Sequence, residues 1–188
     1  MATVDLLLEK IQSNDPVVRT DAWLSAGEAG APALKPLAAL TAEGELEVGR
    51  AAQRAMWRIV RHAGNPATAP EGRTQVVTEL LALLGPGQPS GVRREALWML
   101  SEIAGDEAVE PTAALLTDQE LREDARMVLD RIPGQASIAA LRAALSRTSD
   151  DFRHNLAQSL RHRGVDVPDM PERKLVPTKQ TSVKATEP

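Results

Sequence analysis

The chain has no cysteine and no tyrosine, and only one phenylalanine and three tryptophans among its 188 residues. Without cysteine it has no disulfide, no thiolate metal site and no thiol nucleophile. Aromatics at 2% argue against a β-sandwich or barrel, whose strands draw on aromatic and β-branched residues. Long apolar runs are missing too. The N-terminal segment offers only Leu6-Leu7-Leu8 and no basic stretch before it, so it does not read as a signal peptide. Nothing approaches the ~20 apolar residues of a membrane-spanning helix. A net charge of −4 gives no general attraction to nucleic acid or to an anionic membrane. These features lead us to expect a cytoplasmic protein with no membrane partner.

What the chain does have is alanine, leucine, arginine and glutamate, all good helix formers, within a hydrophobic content of 43%. It also repeats itself. Ala29-Gly30-Ala31-Pro32-Ala33-Leu34-Lys35-Pro36-Leu37-Ala38-Ala39-Leu40 matches the run from Ala104-Gly105 through Pro111 to Leu115. A second pattern aligns on Val18, Val48, Val92, Leu121 and Phe152. Four residues on come Ala22, Ala52, Ala96, Ala125 and Leu156, and eight on come Ala26, Met56, Leu100, Leu129 and Leu160. Eleven on come Ala29, Ile59, Ile103 and Ile132, and then Arg163 breaks the series. Offsets 0, 4, 8 and 11 form one stripe of an α-helix. The anchors lie 30, 44, 29 and 31 residues apart, the period of a helix pair rather than of one element.

Punctuation supports the same division. Asp15-Pro16 reads as an N-cap followed by proline at the first helical position. Ser90, Asp118 and Ser149 stand where equivalent caps are needed. Gly30, Gly64, Gly105, Gly134 and Gly164 follow the same five helices, where left-handed C-caps are expected. Pro36 and Pro111 should kink or delay the helices that contain them. The pattern therefore predicts outer helices near 4–12, 32–41, 71–84, 107–116 and 135–146. It predicts inner helices near 16–29, 46–62, 91–104, 119–132 and 150–162. Gly- and Pro-rich loops are expected at 64–72 and 85–91. From 165 to 188 the apolar pattern stops and a disordered tail is expected, leaving 1–164 as the domain.

The stretches Asp15…Val18-Arg19…Ala22 and Asp118…Leu121-Arg122…Ala125 resemble bacterial HEAT repeats, including those named after phycobilisome lyases. Gly49 departs from the pattern, standing where the other copies carry Arg19, Arg93, Arg122 and Arg153. The resemblance implies an all-α fold: an α-solenoid of about five HEAT-like helix pairs. It implies a non-catalytic interaction scaffold, in a family that also holds chaperones, chromophore lyases and a few enzymes. The three histidines, His62, His154 and His162, lack the following glutamate of the HEAT-like deoxyhypusine hydroxylase, and no cofactor or metal site is expected.

Two further expectations concern the inner helices. Arginines at offset one and acids at offset three (Asp21, Glu95 and Asp124) lie on opposite flanks, which suggests a ladder of arginine–carboxylate pairs between repeats. Offsets two, six and nine face away from the apolar stripe and would line the concave surface of such a stack. They place Arg50, Arg54, Trp57, Arg94 and Trp98 together, with Leu24 and Met127 nearby. Tryptophan and arginine are enriched at binding hot spots, so these five residues form the candidate patch for a protein partner. Nucleic-acid binding through the same arginines is the alternative, and a HEAT-like lyase accessory is a third reading.

Overall fold

Helix starts follow local chemistry. Asp15 accepts the Val17 amide at 2.8 Å, and Pro16 opens helix α2 (Pro16–Leu24) without a wasted donor. The structure, a computed structural model, describes residues 2–67, 70–149, 151–170 and 172. Around α2 stand α1 (Ala2–Ile11), α3 (Leu34–Glu43), α4 (Leu46–Ala63), α5 (Pro70–Ala82) and α6 (Ser90–Ile103). Beyond them come α7 (Val109–Ala114), α8 (Arg122–Arg131), α9 (Gln135–Arg147) and α10 (Phe152–His162). Short 3-10 turns at Ala31–Ala33 and Asp106–Ala108 precede α3 and α7. Pro36 and Pro111 then fall in the first turn of a delayed α-helix, where a missing amide costs little. Among the described residues the chain is all-α, with no strand.

Each even-numbered helix packs on the odd-numbered helix before it and on the even-numbered helix that follows. The stripe predicted from offsets 0, 4, 8 and 11 points into one continuous core. Ala52, Ala96, Leu100, Ala125, Leu129, Leu156 and Ile59 are all fully buried there. Gly49 is buried where α4 crosses the end of α3; a Cβ added to it would lie 3.4 Å from the Thr41 carbonyl oxygen. An arginine at this position would be driven into the last turn of α3, which accounts for the break in the sequence pattern.

Several expectations need correction. Positive φ occurs at Gly30, Gly134 and Gly164, at 68°, 99° and 74°. Gly64 instead continues in right-handed helical geometry at φ −78°, with its amide on the Val60 carbonyl. Gly105 is extended at φ −123°, its amide held by the Glu107 carboxylate at 3.0 Å. Ser90 lies inside α6, whose N-cap position falls to Pro89, and α10 begins at Phe152 with Asp151 rather than Ser149 at its N-cap position. Asp118 accepts the Glu120 amide in a turn that precedes α8.

Packing on the core extends past residue 164, after which the tail is expected to begin. The Val165 amide returns to the Leu160 carbonyl at 2.9 Å, closing α10 around Gly164, and Val165 and Val167 pack on the core. Residues 171 and 173–188 of that expected tail lie outside the described residues, as do 68 and 69 of the expected 64–72 loop. Helix α5 already begins at Pro70 within that loop.

Candidate functional site

The site is built on α2, α4 and α6, whose stripes bury one side and leave Trp23, Trp57 and Trp98 on the other. Trp57 is half-buried and donates its indole N–H to the Glu95 carboxylate of α6 at 3.1 Å. Gln53, one turn earlier, donates to the other oxygen of Glu95. One helix pair further on the arrangement recurs. The Trp98 indole donates to Asp124 of α8 at 2.7 Å, and Arg94 Nε donates to the other Asp124 oxygen at 3.1 Å. Arg94 also reaches the Glu120 carbonyl at 3.2 Å. Glu95 and Asp124, both at offset three, therefore tie α6 and α8 to the even-numbered helix before each. The polar edge of each indole is satisfied, and much of the Trp98 ring, 38% exposed, stays in solvent.

This replaces the expected ladder. Glu95 and Asp124 do cross between helices, but they meet indole, amide and Arg94 rather than the arginines at offset one. Two of those arginines, Arg19 and Arg93, turn toward the ends of the odd-numbered helices. Arg19 donates to the Ser13 carbonyl just past α1, and Arg93 Nε donates to the Leu84 carbonyl just past α5 at 3.0 Å. A cation there complements the negative end of the helix. Arg93 also pairs with Asp118 at 3.2 Å, and the Arg122 guanidinium lies 4.7 Å from the Phe152 ring centroid.

Two grooves open beside these contacts. One, of about 310 Å³, is lined by Trp23, Arg54, Trp57, Arg58 and Arg61. In it the Arg54 and Arg58 guanidiniums lie 5.4 and 5.7 Å from the Trp23 ring centroid, and Arg61 lies 5.2 Å from that of Trp57. The other, of about 460 Å³, is lined by residues that include Gln53, Arg94, Glu95 and Trp98, with Pro89 and Gly91 of the 85–91 loop at its edge. The candidate patch thus divides: Arg54 and Trp57 fall in the first groove, Arg94 and Trp98 in the second. Arg50 joins neither and pairs with Glu47 at 2.8 Å on the exposed start of α4.

Trp23, Arg58 and Arg61 belong to the first groove although the five-residue patch omitted them. Trp23 occupies offset five, the position of Gln53 in α4, and each of these two side chains reaches the following even-numbered helix. That shared offset is the signal that identifies Trp23.

Burial raises the pKa of Glu95 above the ordinary glutamate value, and the hydrogen bonds from Gln53 and Trp57 oppose the rise only in part. A carboxylate raised on folding binds more protons in the folded than in the unfolded chain. Stability is therefore lost as pH climbs from the ordinary glutamate value through the folded one. Glu95→Gln removes this term. Relative to wild type, the variant should gain stability between pH 4 and pH 7 in urea titrations, where groups common to both proteins cancel. A difference that stays constant across that range would count against the burial cost of Glu95.

Among the described residues no three His, Asp or Glu side chains converge to hold a metal ion, and no helix is long and apolar enough to cross a membrane. Neither a family model nor a curated protein matches the chain. Among solved structures the chain is similar to an engineered protein, at 23% identity and a TM-score of 0.41, over 86% of this chain and 79% of that one.

Proposed function

We propose that the chain is a HEAT-type α-solenoid of about five helix pairs, serving as a non-catalytic module that binds a protein partner on the face of α2, α4 and α6. The observation that carries this reading is the first groove. Two indoles and three guanidiniums share it, and among the described residues neither Arg54 nor Arg58 has a carboxylate within ion-pair distance. Indole and guanidinium surface left in solvent is the chemistry of a binding hot spot. A non-catalytic role is supported by the state of the acids on this face. Glu95 and Asp124 each accept two hydrogen bonds from neighbouring side chains, so they act as structural acceptors.

The contact order along the chain supports the solenoid, since each helix pair meets the next through its even-numbered helix. The arginine row also favours nucleic acid as a second reading, and salt separates the two. Phosphate binding weakens steeply with salt, whereas a tryptophan-anchored protein contact weakens less.

The test is capture from native lysate by wild type and by a Trp23→Ala/Trp98→Ala variant, which removes one ring from each groove. Circular dichroism first establishes that the variant is folded. A protein band lost only in the variant is the expected result. A band retained in full places binding elsewhere, and recovery abolished by nuclease favours the nucleic-acid reading.

A further inference from the structure

We infer that the groove between α2 and α4 takes an acidic helical segment of a protein partner, recognised by the row Arg54, Arg58 and Arg61; this rests on the binding face proposed above. The three arginines follow one another at four and three residues on α4 and line one groove. At 1.5 Å per residue their stems are set about 6 Å and about 4.5 Å apart along the helix axis. Carboxylates at i, i+4 and i+7 on a second helix repeat this spacing and face it side by side. Two of the guanidiniums rest near the Trp23 ring and the third near Trp57, so they are positioned before a partner arrives. Stacking of this kind leaves the hydrogen-bonding edge of a guanidinium open to a carboxylate fork.

Charge elsewhere on the face decides between an acidic segment and a nucleic acid. Arg50 is already paired with Glu47 at 2.8 Å, and Arg61 pairs with Glu102 at 3.8 Å. Past α4 the face carries Glu95, Asp124 and Glu123, all engaged as acceptors. Among the described residues the row therefore holds two cations without a carboxylate, Arg54 and Arg58, and a third, Arg61, whose long ion pair with Glu102 leaves it largely in solvent; beyond it the face carries acids. A polyphosphate strand extending along the helices would meet those carboxylates, whereas a short acidic stretch would not. Leu24, 45% exposed and next to Trp23 in the chain, leaves apolar surface on α2 in solvent for the segment's aliphatic side.

The test uses two 14-residue peptides of equal composition and without tryptophan. One carries glutamates at i, i+4 and i+7 on a single helical face; the other spreads the same glutamates around the helix. Binding to the full chain is followed by indole emission. The aligned peptide should bind saturably, the dispersed peptide about tenfold more weakly, and Arg54→Glu/Arg58→Glu should abolish binding of the aligned one. Arg54→Lys/Arg58→Lys should retain part of it, which separates lost charge from lost folding. Equal affinities for the two peptides, no binding of either, an unaffected Arg54→Glu/Arg58→Glu variant, or tighter binding of a dodecathymidylate strand would each overturn the inference. The lysate capture keeps the two proposals apart. A band lost in the Trp23→Ala/Trp98→Ala variant but kept in Arg54→Glu/Arg58→Glu leaves the binding face standing and removes the acidic segment; a band kept in both removes the two together.

Discussion

Replacing Arg163 with alanine is expected to lower the stability of the protein by about 2–4 kcal/mol, more than any exposed ion pair on its surface contributes. The side chain stands where the four preceding segments carry Ala29, Ile59, Ile103 and Ile132. Instead of filling the core it reaches back across the end of α8. Its Nη1 lies 3.1 Å from the Leu129 carbonyl oxygen, 3.0 Å from that of Asp130 and 2.6 Å from that of Ile132, and Nη2 lies 3.1 Å from that of Gly134. The last carbonyls of a helix have no partner within it, and a guanidinium both donates to them and offsets the negative end of the helix. Buried Ser137 joins the same cluster, donating to Ile132 at 2.8 Å and accepting from Arg163 at 3.1 Å. Truncation would take the side-chain donor from the Leu129 and Asp130 carbonyls and leave those of Ile132 and Gly134 to Ser137 alone. The thermal midpoint should fall by about 5–10 °C for a chain of this size. Arg163→Lys should fall between, since it keeps the charge and loses the planar fork. Urea denaturation is the check, with hydrogen exchange on α8 and α10 amides locating the loss. An alanine variant within about 0.5 kcal/mol of wild type would mean that water serves these carbonyls equally well.

The break at Arg163 was visible in the sequence as a break, but its purpose was not, and the same division runs through the molecule. Met56, Leu100, Leu129 and Leu160 were legible as core because a helix's own 3.6-residue period determines which of its sides is apolar. Asp15-Pro16 was legible because capping is local chemistry between near neighbours. What a side chain meets across a gap depends on how the next helix is rotated and shifted, and no single helix encodes that. The pairing of Trp57 with Glu95, of Trp98 with Asp124, and of Arg19 and Arg93 with helix ends all belong to this second class. So does the division of the five-residue patch into two grooves, with Arg50 outside both. Gly64 and Gly105 failed as left-handed caps for a related reason: a glycine permits positive φ without requiring it, and neighbouring hydrogen bonds chose otherwise. Val165 and Val167 were assigned to the tail because two isolated valines carry no helical period, yet two apolar side chains suffice to hold an extended stretch against a core already built.

Ala96→Leu is the second substitution with a large expected effect, about 1–3 kcal/mol of destabilisation, and it tests how the helices are spaced. Ala96 is fully buried on α6, as are Ala52 and Ala125 at the equivalent places on α4 and α8. Helix α6 packs on α3, α4, α5 and α8, so a side chain at this position has neighbours on several sides. The three added carbons enter a core packed at close to crystalline density, and the helices must separate or the leucine must leave its preferred rotamers. Alanine and leucine have similar helix propensities, so the cost reports packing rather than backbone preference. Ala39→Leu, on an exposed position of α3, is the matched control and should change stability by less than about 0.5 kcal/mol. The strain should also reach the binding face, because Glu95 is the residue before Ala96 and Trp98 lies two residues after it. Displacing α6 lengthens the Trp57 and Trp98 hydrogen bonds to Glu95 and Asp124, and indole emission should shift toward that of solvated tryptophan before global unfolding begins. A variant as stable as wild type with unchanged emission would mean that α6 can move away from its neighbours at little cost, and that the small residues of the stripe do not set the distance between helices.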